Sequence, residues 1–120
     1  MQTIQSKQSE TDNTLYIQRQ VERIIRGRVG REQSITDVGI CGMMGKSEKF
    51  ERAVRRAVTA MRKKGVPICS ESGRGYWWPI NIEDTRSTAA ELRSRAADMF
   101  DTATSFERGA IALFGGQESF

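Results

Sequence analysis

Between Phe50 and Lys64 two residue classes alternate at helical spacing. Phe50, Val54, Ala57, Val58 and Met61 are apolar and fall on one face of a helix. Lys49, Arg52, Arg55, Arg56, Thr59, Arg62 and Lys63 fall on the other. From Glu48 to Lys64 seven basic residues stand against two acidic ones, Glu48 and Glu51. A helix face made only for water usually mixes signs, because opposite charges three or four residues apart stabilise each other. A face of one sign repels itself, and a polyanion relieves that repulsion. Guanidinium groups can grip guanine O6 and N7 as a fork or bind phosphate, whereas ammonium groups act as point charges on phosphate. Residues near the start of a groove-reading helix usually reach base edges. Arg52, Arg55, Arg56 and Thr59 are therefore the expected base or near-base contacts, and Lys49, Arg62 and Lys63 the expected phosphate contacts.

A second cation stands further along, in Glu71-Ser72-Gly73-Arg74-Gly75. Two glycines within three residues suit a tight turn that needs positive φ. Arg74 between them would sit at a hairpin tip, placed to enter a minor groove or touch phosphate. The alternative is an ordinary surface arginine.

Other chemistries find little support. The chain has no histidine, the usual acid–base group near neutral pH, and its carboxylates, lysines and cysteines form no recognisable catalytic constellation. A non-enzymatic protein is expected. The two cysteines, Cys41 and Cys69, lack the spacing or partners of a metal site, so neither metal nor cofactor is expected; they read as buried thiols or as a bridge. The segment GICGMMGKS invites a phosphate-loop reading. That loop needs glycine five residues before the Gly-Lys-Ser glycine, and the residue five before Gly45 is Ile40.

The 120 residues allow one small domain with appendages, 38% hydrophobic and 28% charged, with net charge +4. That charge is uneven: residues 1–81 hold 15 basic and 8 acidic residues, whereas residues 82–120 hold 4 and 7. The front of the chain is thus suited to a polyanion, and the back to another task. No apolar run reaches membrane-spanning length, and the first residues have no apolar core of the kind a signal peptide needs. A cytoplasmic protein without membrane contact is expected.

The elements that would position the cations can be read in order. Residues 1–13 are rich in Gln, Ser and Thr and are expected as a disordered tail. A first helix begins at Asn13 or Thr14, buries Leu15, Ile17, Val21, Ile24 and Ile25, and ends at Gly27 to Gly30. Arg26, Arg28 and Arg31 at its exit can serve its dipole or a phosphate equally. The segment from Ser34 to Gly39 is a short strand or a helix cap, leading to a weak, glycine-containing second helix with Ile35, Val38, Ile40, Met43 and Met44 as core contacts. Ser47 is placed to cap the basic helix, which Gly65 and Pro67 stop. A hairpin follows, with strands at Val66 to Ser70 and Tyr76 to Pro79. Tyr76 and Trp78 point to one side, expected as the core, and Trp77 to the other, toward the C-terminal helix or DNA. Residues 14–81 then form a mainly α domain with a small β-hairpin, in the order of a winged helix-turn-helix.

At these residues a resemblance emerges. Val54, Val58, Met61-Arg62, Gly65-Val66 and the wing ending Gly75-Tyr76 resemble the winged helix-turn-helix DNA-binding proteins, as in the biotin repressor's DNA-binding domain. The run through Gly65-Val66-Pro67-Ile68, with Arg93-Ser94-Arg95-Ala96 beyond it, is similar to small phage and prophage winged-helix replication or regulatory proteins. The likeness covers about half the chain. It departs at Cys41 to Lys49, which is longer and richer in glycine than the usual tight turn. The resemblance implies sequence-specific DNA binding in phage replication or gene control, carried onto Arg52, Arg55, Arg56 and Arg74.

Residues 82–114 repeat Ile82, Thr85, Ala89, Leu92, Ala96, Met99, Ala103, Phe106, Ala110 and Leu113 at alternating spacings of three and four, a heptad seam. Ala89, Leu92, Ala96, Met99, Ala103 and Phe106 are the expected dimerisation contacts; the alternative is a helix folded back on the first helix and Trp77. Residues 115–120 read as a flexible tail. The expectation as a whole is a double-stranded DNA-binding homodimer, a regulator or an origin binder. Its rivals are an adaptor for a host replication or transcription protein, and a single-strand or RNA binder that stacks bases on Tyr76 and Trp77.

Overall fold

The computed structural model describes the backbone of residues 2–115 and the side chains of residues 13–115. In chain order it contains helix α1 (Gln2–Arg26), helix α2 (Asp37–Met43), helix α3 (Glu51–Lys63), strands β1 (Cys69–Glu71) and β2 (Gly75–Trp77), and helix α4 (Ile82–Phe114). Residues 1–85 and 86–120 are two compact units. The first turn of α4 belongs to the first unit.

Helix α1 buries Val21 and Ile25, with Ile17 and Ile24 packed beside them. It starts well before Asn13, so the segment expected as a disordered tail has a helical backbone from Gln2. That stretch lacks an apolar stripe, but its Gln, Lys and Glu residues are good helix formers and it contains neither glycine nor proline. Residues 116–120, expected as a flexible tail, lie outside the described residues.

After α1 the chain makes two isolated β-bridges to the hairpin segment. Val29 bridges Trp78, and Ile35 pairs antiparallel with Tyr76 through two backbone hydrogen bonds of 2.8 Å. Strand and cap, left open by the sequence, are both present: Ile35 joins the hairpin, and the next residue, Thr36, caps α2 by accepting from the Gly39 N–H at 3.0 Å. Gly45, at φ 69°, turns the chain out of α2. Ser47 makes no side-chain cap bond; a single 3-10 turn over Glu48–Phe50 leads in, and α3 proper begins at Glu51.

Val54, Ala57, Val58 and Met61 of α3 pack with Val21, Ile25, Ile35, Ile40, Cys41 and Ile68 to form the core. Strands β1 and β2 pair antiparallel, with Cys69 opposite Trp77 and Glu71 opposite Gly75. They are shorter than expected and shifted toward the tip, because Val66 to Ile68 are used in returning from α3. Tyr76 and Trp78 lie against the core as expected. Trp77, on the other face, is only 3% exposed, and Cys69 beside it donates its thiol to the Asp84 carbonyl at 3.4 Å. Cys41 and Cys69 are free thiols, both buried.

Helix α4 begins with a reciprocal cap. The Asp84 N–H donates to Asn81 Oδ1 at 3.1 Å, and the Ile80 N–H donates to Asp84 Oδ2 at 2.8 Å. Beyond Thr85 the helix continues unbroken to Phe114. No helix among the described residues is long and apolar enough to cross a membrane.

Candidate nucleic-acid interface

The core position of Val54, Ala57, Val58 and Met61 fixes which way the rest of α3 points. At 100° per residue, Arg52, Arg56, Thr59 and Lys63 fall on the side directly opposite the core. All four are exposed. Together with Arg55 and Ala60 they line one shallow groove of about 450 Å³. Ala60 was not among the expected site residues; its small side chain leaves the space between Arg56 and Lys63, and a reading based on charge does not register it. A second groove of about 340 Å³ lies between α1 and α3 and shares Arg56 and Ala60. It is walled by Thr14, Ile17 and Gln18 of α1.

Within this row the charges stand clear of carboxylates. Among the described residues, no acidic side chain forms an ion pair with Arg52, Arg56, Lys63 or Lys49, which is exposed on the 3-10 turn. The Thr59 hydroxyl donates back to the Arg55 carbonyl at 3.0 Å, which leaves its oxygen able to accept.

Arg55 and Arg62 behave differently, because each stands about 90° from the centre of the apolar face, at the border of the core. Arg55 lies 3.5 Å from both Asp37 and Glu51. Its side chain is about half exposed, and such loose pairs contribute little, so its guanidinium can turn to a stronger anion. The Arg62 guanidinium is spent inside the domain. It donates to the Ile68 carbonyl at 2.9 and 2.7 Å and to Ser70 Oγ at 2.8 Å. It ties the end of α3 to the hairpin and is not an outward phosphate contact as expected.

Arg74 is also held. It lies 3.3 Å from Glu71 and reaches the Arg31 carbonyl at 3.4 Å, while Arg31 itself pairs with Glu71 at 2.6 Å. The hairpin tip thus carries two arginines on one carboxylate. Gly73 and Gly75 have φ of 80° and 108°, the values the turn reading requires. Of the other arginines at the exit of α1, Arg26 stacks 4.3 Å over the Trp78 ring and Arg28 donates to the Met43 sulfur at 3.6 Å.

Asp37 connects these parts. It opens α2, faces Arg55 of α3 and lies beside the hydroxyl of Tyr76 on β2. Burial first, and then the Asp37 carboxylate, push the Tyr76 phenol far above its ordinary value. Burial also raises the Cys41 thiol, reinforced by Glu51 and Asp37, so this cysteine is a poor nucleophile. Trp77 is too deeply buried to stack on a base, and Tyr76 is turned toward Asp37, which removes the stacking platform that a single-strand binder would use.

No family model matches the chain, and neither the curated proteins nor the solved structures include a significant match to it.

Proposed function

We propose that residues 1–85 form a winged helix-turn-helix that binds double-stranded DNA without catalysis, with α3 in the major groove and the β1–β2 tip at the neighbouring backbone. The order of elements supports this reading: helix, one bridging residue at Ile35, two helices, then a hairpin that pairs with that residue. The observation that carries it is the outward row Arg52, Arg56, Thr59 and Lys63, which lines one groove opposite the core. An α-helix fits the width of a B-DNA major groove, and this helix would present three uncompensated cations to it. The proposed role is regulation of transcription or marking of a replication origin.

On α3 and the turn that leads into it, Lys49, Arg52, Arg56 and Lys63 have no carboxylate partner among the described residues and Arg55 has only loose ones, so these five can meet phosphate or base edges. Five such contacts per copy predict a fall in duplex affinity of roughly 500-fold between 50 and 200 mM salt. Fluorescence anisotropy with a mixed-sequence duplex, titrated at both salt concentrations, tests this. A steep salt dependence and a preference for duplex over single strand are expected. No measurable duplex binding at 50 mM salt would overturn the reading.

A further inference from the structure

Helix α4 beyond Thr85 carries large apolar side chains that are exposed among the described residues. Met99, Phe106 and Leu113 are 75%, 70% and 77% exposed, and Leu92 and Phe100 are exposed as well. An exposed stripe of this size marks an interaction surface. Its internal order says which partner fits. Leu92, Met99, Phe106 and Leu113 recur every seven residues, and Ala89, Ala96, Ala103 and Ala110 recur every seven residues between them. From Ala89 to Leu113 one core position of the heptad is always large and the other always alanine.

We propose that α4 pairs with α4 of a second copy in antiparallel orientation, in the register that sets Ala96 against the second copy's Phe106 and Ala103 against its Met99. The proposal rests on the unit 86–120 alone and is independent of the DNA reading. In a parallel pair, equivalent positions face each other, so alanine would meet alanine and phenylalanine would meet phenylalanine. The seam would be alternately too wide and too narrow, with voids at each alanine layer. In the antiparallel pair each alanine faces a large side chain, and the layers have nearly constant width. Of the antiparallel registers one heptad apart, this one gives every alanine a large partner.

The flanking charges agree with that register. The residues that follow the large positions are Arg93, Phe100, Glu107 and Phe114, the last of which would face Arg86 of the second copy. In the antiparallel pair this flank meets its own copy, so Phe100 packs on Phe100 across the two-fold axis and Arg93 meets the second copy's Glu107, twice per dimer. On the opposite flank Thr102 meets Thr102 and Arg95 meets Gly109, so no like charges face each other. Among the described residues neither Arg93 nor Glu107 forms an ion pair within its own chain, whereas the nearby Arg95 is paired with Glu91.

Charge exchange followed by sedimentation equilibrium tests the proposal on the full chain. Wild type is expected to be a dimer. Arg93→Glu and Glu107→Arg should each weaken dimerisation on the order of tenfold, because two attractive contacts become repulsive. The double variant R93E/E107R should return to within about threefold of wild type, since it restores the pair with its signs exchanged. Both positions are on the helix surface, and far-UV circular dichroism should show unchanged helix content in all three variants. A wild type that stays monomeric at about 0.1 mM, an assembly larger than a dimer, single exchanges without effect, or a double variant as weak as the singles would each overturn it.

Discussion

The Arg62 guanidinium donates twice to the Ile68 carbonyl, at 2.9 and 2.7 Å, and once to Ser70 Oγ. The contact holds the last turn of α3 against the strand that begins the hairpin. It thereby fixes the angle between the two elements that carry the cations.

Replacing Arg62 with Ala should lower stability by about 2 kcal/mol. The change removes a charged donor from a part-buried carbonyl and leaves that carbonyl without it. Arg62→Lys should recover less than half of the loss, because an ammonium cannot form the fork. Urea denaturation of the three proteins measures both effects, and a loss below about 0.5 kcal/mol for the alanine variant would show that the contact is only a surface decoration.

Gly75 offers a sharper steric test. A Cβ at this position would lie 2.3 Å from the Ile35 carbonyl oxygen and 2.8 Å from the Thr36 nitrogen, both backbone atoms that cannot swing aside. Gly75 is also at φ 108°. Gly75→Ala should therefore cost roughly 3 kcal/mol or more by forcing Ile35 and Tyr76 apart. Gly73 shares the positive φ but faces open space. Gly73→Ala should cost only about 1 kcal/mol, the backbone contribution alone. Equal losses in thermal unfolding would mean that the close approach to Ile35 is not what demands glycine at 75.

These two residues show what the sequence could and could not convey. The apolar face of α3 was legible, because core burial and helical period are local properties, and Val54, Ala57, Val58 and Met61 are all buried. The need for positive φ at Gly73 and Gly75 was legible for the same reason. The role of Arg62 was not, because its partner Ile68 reaches it only after the chain turns at Gly65, and no periodicity encodes that return. A signal was nevertheless present: Arg62 and Arg55 lie at the edge of the apolar arc, where a long polar side chain can reach back to its own domain. Trp77 was left open between the C-terminal helix and DNA because alternation along a strand gives two faces but not which of them is covered; its burial removes the DNA alternative. The start of α1 was missed because helix propensity without an apolar stripe looks like disorder.

Tyr76 makes stability depend on alkaline pH. Its phenol is raised above the ordinary 10.0 by burial and by Asp37. The folded value exceeds the unfolded one, so the native state holds the proton more tightly. The associated stability is intact below pH 10 and is lost as pH rises beyond it. The wild-type urea midpoint should fall through this window, and Tyr76→Phe should fall less steeply because the group that must stay protonated is gone. Parallel curves for the two proteins would place the tyrosine in water instead of against Asp37.

The arginines of α3 should separate into two classes when DNA binding is measured against salt. Arg52 and Arg56 stand opposite the core and have no carboxylate partner among the described residues, so replacing either with Ala should lower the slope of log K against log salt by about 0.9. If the residue also reads a base, the affinity for a preferred site should fall by a further ~1–3 kcal/mol, and discrimination at that position should relax. Arg62→Ala, measured at a temperature where the variant remains folded, should leave the slope unchanged, because its guanidinium is already committed to Ile68 and Ser70. Arg55→Ala should fall between the two classes, since its loose contacts with Asp37 and Glu51 must be given up before it binds phosphate. This ordering distinguishes a surface that meets DNA through the outward row of α3 from a protein that is merely basic. In the merely basic case, deleting any of the four arginines would change the slope by the same amount.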